Sequence, residues 1–353
     1  MFVHERLAIG GEALTDKDNL TMSRIVTGIK PSGTPHVGNY FGMIEPALGL
    51  AQGHDATYFV ADYHALTTVR DPEELRDLTL QVTATWIALG LDPNRSVLYL
   101  QSDLPEVCEL AWLLGCVMAK GLLNRGHAYK SAVDDNLEQG RPVDDGVNAG
   151  LYNYPLLMAA DLLLHRADLV PVGEDNRQHV EICRDVATAF NHNYGAVLAV
   201  PELRVQDGVA VIAGTDGRKM SKSYSNVVPI FASTDEVRRT VMSIVTDSSR
   251  PEDPKDPDAC NVFNLYRHLA APEDARALAV RYRTGGIGYR EAKELVAEAH
   301  EQRFAGSRDR YLTLMDDPGT LRQTLHNGAE RARDACAGLL AAARAATGIL
   351  AGV

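Results

Sequence analysis

The sequence predicts an α/β protein, a parallel sheet covered on both faces by helices, followed by an all-helical region. Three observations carry this. Short apolar runs recur at 24–29, 57–62, 96–102 and 167–173 with few polar residues inside them, as strands buried on both faces require. Stretches of helical period separate them. After about Val228 strand-like runs vanish and alanine and arginine rise, the texture of packed helices.

Each element follows from local chemistry. Residues 1–22 show no sustained period and read as a flexible N-terminal extension. The strand at 24–29 runs into a Lys-Pro-Ser-Gly loop, and 39–52 reads as a helix opened by glycines. Asp71, Pro72, Glu73 and Glu74 open the next helix as an N-cap, a proline at the first position and two acids at the positive end of the dipole. That helix runs to about Ala88 and stops at Gly90. Val107, Leu110, Ala111 and Leu114 give 105–120 a helical stripe, and further helices are expected at 154–165 and 174–191. Beyond the sheet, helices are expected at 234–245, 259–269, 289–303 and 320–346, with a proline-rich loop at 247–258. In open parallel sheets ligands sit beyond the C-terminal strand ends, so 30–39, 62–67, 101–103 and 173–175 should border one pocket.

Composition narrows the function. Of 353 residues 45% are hydrophobic and 23% charged, enough apolar surface for a large core, and the prior is two domains. No apolar run approaches the roughly 20 residues of a spanning helix, and the N-terminus lacks the pattern of a secretory signal. The net charge of −12 argues against a non-specific nucleic-acid coat or membrane-surface binder. Five scattered cysteines, Cys108, Cys116, Cys183, Cys260 and Cys336, fit neither a disulfide scaffold nor a zinc site, so no metal is expected on the chain and a cytoplasmic setting is.

Two segments carry chemistry. Lys30-Pro31-Ser32-Gly33-Thr34-Pro35-His36-Val37-Gly38-Asn39 follows the first strand and leads into a helix. Its glycines let backbone approach a ligand, and a helix N-terminus offers N–H groups to phosphate. The second, Gly217-Arg218-Lys219-Met220-Ser221-Lys222-Ser223, places three cations in a loop able to close over a polyphosphate. Taken singly, each is also what an ordinary turn or a solvated basic loop looks like.

Together they resemble the class I aminoacyl-tRNA synthetases. His36-Val37-Gly38-Asn39 stands at that family's HIGH motif, with Asn39 in place of the last histidine, and Lys219 to Ser223 is an intact KMSKS. Three further runs are similar to bacterial tryptophanyl-tRNA synthetases: Asp62-Tyr63-His64-Ala65-Leu66-Thr67, Tyr154 to Asp161, and Val170-Pro171-Val172-Gly173-Glu174-Asp175 with Gln178-His179. The tyrosyl sister family would show Gly-Ser-Asp-Gln where this chain has Gly173-Glu174-Asp175-Asn176.

The resemblance implies a Rossmann-like catalytic domain over 23–228 and a helical anticodon-binding domain over 229–353 whose last helix packs back on the first. It implies activation of L-tryptophan by ATP with Mg²⁺, transfer to tRNA(Trp), and a homodimer with its interface near 105–120. The alternatives are a regulatory paralogue retaining the pocket, from a different class of function, and a tyrosyl-type sister enzyme. Catalytic roles fall on His36, Asn39, Lys219 and Lys222. ATP contacts fall on Lys30, Pro31, Ser32, Gly38, Asn39, Gly173, Glu174, Asp175, Ile212, Lys219, Met220, Ser221, Lys222 and Ser223, with Lys130 a weaker phosphate candidate. Tryptophan contacts fall on Tyr154, Met158, Asp161, Val170, Val172, His64 and Asn176. The chemistry of Asp161 agrees: an indole only donates, so a buried carboxylate tells it from phenylalanine. Arg281, Tyr282, Arg283, Arg308, Arg310 and Tyr311 are of a type suited to reading loop bases.

Overall fold

The computed structural model describes residues 22–172, 177–205 and 212–350. Its sheet has five parallel strands, β1 (Arg24–Ile29), β2 (Asp55–Val60), β3 (Val97–Leu100), β4 (Leu169–Val172) and β5 (Glu202–Val205), in the order β3-β2-β1-β4-β5. β1 pairs with β2 from Arg24↔Asp55 to Ile29↔Val60. After β3 the chain crosses to the other side of β1, so the strand order reverses between β1 and β4. A doubly wound sheet opens its ligand crevice at that point, where the Lys30 turn leaves β1.

Four of the five strands lie where the apolar runs place them. The short β5 was not expected: Glu202-Leu203-Arg204-Val205 follows Pro201 and carries two charges, tolerable on an edge strand. The helix expected at 39–52 starts at Val37 and has a wide π-type turn over Tyr40–Ile44 before Glu45–Leu50. Pro46 has no N–H to continue the i−4 ladder, a physical reason for the irregular register. The helix expected at 154–165 spans Ala149–Leu164, because the Asn148 side chain accepts from Leu151 N at 2.9 Å and caps it five residues earlier. The helix His127–Glu138 was not expected, and Lys130 lies on it, exposed, rather than on a mobile connection.

The C-terminal region is helical: Thr234–Met242, Asn261–Leu269, Pro272–Thr284, Tyr289–Met315 and Pro318–Thr347. The third was missed although Pro272-Glu273-Asp274 is a good helix start. The fourth runs twelve residues past Arg303, straight through Gly306 and Ser307, and ends only at Asp316-Asp317-Pro318, where Asp317 caps the next helix. One core joins this region to the front of the sheet: Val37, Phe41, Ile212 and Met220 share it with Val228, Ile230, Phe263, Tyr282 and Phe304.

The last helix lies along β3, the edge a bare sheet would expose to other strands. The approach is close at Gly328, where a Cβ would fall 1.8 Å from Leu98 O. Arg331 donates to Pro93 O at 2.8 Å, and Cys336 Sγ lies 3.3 Å from His165 Nδ1, whose Nε2 is 2.7 Å from Tyr99 Oη. Gly328→Ala is expected to cost about 1–3 kcal/mol, the usual range for overpacking, read as a lower urea midpoint by circular dichroism. An unchanged midpoint would mean that the helix lifts from β3 freely.

Candidate active site

The Lys30–Gly38 turn and the lysine loop meet, although nearly two hundred residues separate them. Val37 N–H donates to Val228 O at 2.9 Å, and His36 pairs with Pro229 as an isolated antiparallel bridge. Gly38 N–H lies 3.3 Å from Met220 Sδ. At Gly33, whose φ of +132° suits glycine, a Cβ would come 2.8 Å from Lys222 Cδ, so the lysine lies across the turn.

Within the turn His36 is buried and its pKa is pushed down to about 4, by burial first and then by Lys222. It is therefore neutral at pH 7 and offers one N–H without a charge. Asn39 Oδ1 accepts the His36 backbone N–H at 3.1 Å, so the residue standing at the last position of HIGH caps its own helix. Pro31 is buried and Ser32 exposed, with Ser32 N–H on Lys30 O at 2.9 Å. Lys30 Nζ donates to Thr67 Oγ1 at 2.9 Å, and burial lowers its pKa.

The lysine loop is built on a residue that sequence reasoning passed over. Asn226 is 1% exposed. Its Oδ1 accepts from Ser221 N at 2.8 Å, while its Nδ2 donates to Asp216 Oδ1 at 2.7 Å and Lys219 O at 3.1 Å. A buried amide with donors and acceptor all engaged holds the backbone that carries both lysines. Its only sequence signal was an asparagine three residues beyond Ser223. Met220 is buried in the core it shares with Val37 and Phe41, its Sδ against the Gly38 N–H, and Ile212 is also buried there with its carbonyl accepting Met220 N–H at 2.8 Å. Lys219 and Ser223 are exposed, whereas Lys222 is half-buried with its pKa lowered by burial to about 8.

A second group of side chains gathers around Asp161, which is 1% exposed. Gln101 Nε2 lies 2.9 Å from each of its oxygens, and His64 Nε2 is 3.1 Å from Oδ2. Burial raises the Asp161 pKa, and the hydrogen bonds from His64 and Gln101 oppose that rise. Oδ1 keeps a lone pair for one more donor. Tyr154 stands edge-on to His64, ring centroids 6.2 Å apart, and its hydroxyl hydrogen-bonds His179, whose own pKa is lowered to about 4 by burial, with His127 and His64 adding to it. Met158 is half-buried one turn before Asp161 and packs against the core that contains Val170. The side chain of Val172 and all of Gly173, Glu174, Asp175 and Asn176 lie outside the described residues.

The helical region corrects one expectation. Tyr282 is wholly buried and cannot stack on a base, Tyr311 is stacked on Phe231 at 4.4 Å, and Arg310 donates to Ala88 O. Arg308 pairs with Glu301, Arg281 with Glu291 and Arg283 with Asp258. Burial removes Tyr282 as a base reader, and the ion pairs of Arg281, Arg283 and Arg308 suit the solvated helix face that their residue type equally allows.

The family model described as class I tRNA synthetases (W and Y) matches residues 19–305. The chain belongs to this family. Among curated class I relatives, the tryptophan–tRNA ligase of Xanthomonas axonopodis pv. citri is 47% identical over 331 residues, covering 93% of this chain and 76% of that protein. The corresponding ligase of Rhodopirellula baltica is 45% identical, covering 92% of this chain and 99% of its own. A crystal structure of the Campylobacter jejuni tryptophanyl-tRNA synthetase with ADP and tryptophan superposes with a TM-score of 0.83 at 40% identity, covering 92% of this chain and 99% of the other. Two archaeal tyrosyl-tRNA synthetases, at 20% and 19% identity, share the fold.

Proposed function

We propose that the chain activates L-tryptophan with ATP to tryptophanyl-adenylate and pyrophosphate and then transfers the tryptophan to tRNA(Trp). The observation that carries this is the lysine loop laid across the glycine turn at the sheet's switch point, with a buried carboxylate pocket in the same domain. Curated relatives of this activity at 45–47% identity over more than nine-tenths of the chain support it.

The reaction needs no protein nucleophile. The tryptophan carboxylate attacks the α-phosphorus of ATP, the bond to the bridging oxygen breaks, and pyrophosphate leaves with the electron pair. The adenylate then passes its acyl group to a hydroxyl of the terminal adenosine of tRNA, releasing AMP. Positioning and charge stabilisation supply the acceleration. In this reading Gly38 lets the backbone approach the phosphates, the neutral His36 and the Asn39 side-chain amide donate to their oxygens, and Lys219 and Lys222 neutralise charge on the leaving group. Lys30, a half-buried cation, adds positive charge beside the turn. Asp161 accepts the indole N–H, with Met158 and Val170 as apolar walls and Tyr154 and His64 at its edge.

Among the described residues no three ligating side chains converge. Mg²⁺ is proposed to enter with ATP as part of the substrate. A cytoplasmic setting fits the absence, among the described residues, of any helix long and apolar enough to cross a membrane. A homodimer is proposed through the Glu106–Gly115 helix, where Trp112 is 75% exposed, and sedimentation velocity tests it.

Pyrophosphate–ATP exchange dependent on tryptophan, with tyrosine as control, tests the activity. Exchange with tryptophan and charging of tRNA(Trp) are expected. Exchange driven only by tyrosine would transfer the specificity to the sister enzymes, and adenylate without charging would make the chain a non-charging paralogue.

A further inference from the structure

Gln101 is completely buried at the end of β3, in the single 3₁₀ turn Gln101–Asp103. Its neighbourhood is held firmly: Ser102 N–H donates to Asp62 Oδ1 at 3.0 Å and Leu104 N–H to Gln101 O at 3.0 Å. The side chain points one nitrogen at both oxygens of Asp161 and leaves its own Oε1 buried without a partner among the described residues. An orphaned buried acceptor is costly, and an apolar side chain of the same shape would avoid that cost. Turning the amide over would set Oε1 against two carboxylate oxygens. The observed orientation is therefore the one an ionised Asp161 demands.

We infer that Gln101 is a positioning residue for tryptophan selection, aiming Asp161 and holding it as the carboxylate that accepts the indole N–H. The inference rests on Asp161 being that acceptor. A neutral carboxylic acid accepts weakly and can turn its own O–H toward the ligand, so the charge state decides affinity. Among the described residues the groups facing Asp161 are His64 from the Asp62–Ala65 turn, Tyr99 and Gln101 from the end of β3, and Cys108 from the helix that follows. Of these Gln101 and His64 donate to it, and Gln101 alone reaches both oxygens.

The test is tryptophan affinity of the full chain by equilibrium dialysis between about pH 5 and pH 8, beside the KM and kcat of pyrophosphate exchange. Removing the donor frees burial to raise the Asp161 pKa further, so affinity is lost at a higher pH as the solution is acidified. Gln101→Met is expected to move that acid limb up by about one pH unit and raise the tryptophan KM about tenfold at neutral pH, with the ATP KM unchanged. Gln101→Glu keeps the volume but sets two carboxylates side by side, which must share a proton, and moves the limb further. Adding Gln101→Met to Asp161→Asn should change nothing more. An acid limb that stays in place in both single variants, while Asp161→Asn loses affinity, overturns the inference. If Asp161→Asn binds tryptophan as the parent does, the pocket assignment itself is wrong.

Discussion

Lys222→Ala is expected to slow tryptophan-dependent pyrophosphate exchange by about 10²–10³-fold, the usual loss when one preorganised charge is removed from a transition state, with little change in tryptophan KM. The reasoning starts from where the lysine lies. It is half-buried across Gly33, its stem against backbone that admits no Cβ, so the side chain is held over the turn rather than searching in solvent. Burial lowers its pKa to about 8, which sets a second expectation. The protonated form is the one that binds polyphosphate, and it is lost as pH rises through that value. In the free enzyme kcat/KM for ATP should therefore fall above about pH 8. The Lys222→Arg variant, whose guanidinium stays charged, should keep a flat alkaline limb at whatever activity its geometry allows. A Lys222→Ala enzyme of parental rate would remove the loop from the chemistry.

Asp161→Asn is expected to raise the tryptophan KM by about 10- to 100-fold, the loss of one charge-assisted hydrogen bond. The amide has a single acceptor where the carboxylate has two. Gln101 Nε2 and His64 Nε2 already converge on the acid, so the new Nδ2 must face a donor from one of them or from the indole. Selectivity against phenylalanine should narrow in step, because the penalty for an unpaired buried charge disappears with the charge. Stability should change less than affinity, since burial already opposes the ionised form. Urea unfolding of the variant beside its tryptophan KM separates the two.

Much of the architecture is legible in local sequence. Apolar runs bounded by turn residues read as buried strands, and the Asp71-Pro72-Glu73-Glu74 start forms as its chemistry dictates, with Asp71 Oδ1 accepting from Glu73 and Glu74 N–H. What local pattern handles poorly is the marginal element. β5 is a short charged strand that pairs only on one side, and the π-type turn before Pro46 answers a missing N–H inside an otherwise helical run. Arg310 and Tyr282, of a type suited to reading RNA bases, show the same limit, since an arginine that binds Ala88 O or a tyrosine sealed in the core looks in sequence like one that meets a nucleotide.

Local pattern suffices for the parallel α/β class, the helical C-terminal region and the two glycine- and lysine-rich motifs, because strand and helix periods, caps and glycine turns are effects of neighbours within a few residues. Folding in three dimensions was needed to lay Lys222 over Gly33, to tie the lysine loop through Asn226, to set Gln101 on Asp161 and to seat the last helix on β3 at Gly328. Each of these joins positions between 5 and 230 residues apart through buried hydrogen bonds or contacts too close for a Cβ. Such partners are selected when the core closes and polar groups cut off from water must find one another, and no periodicity along the chain encodes that choice.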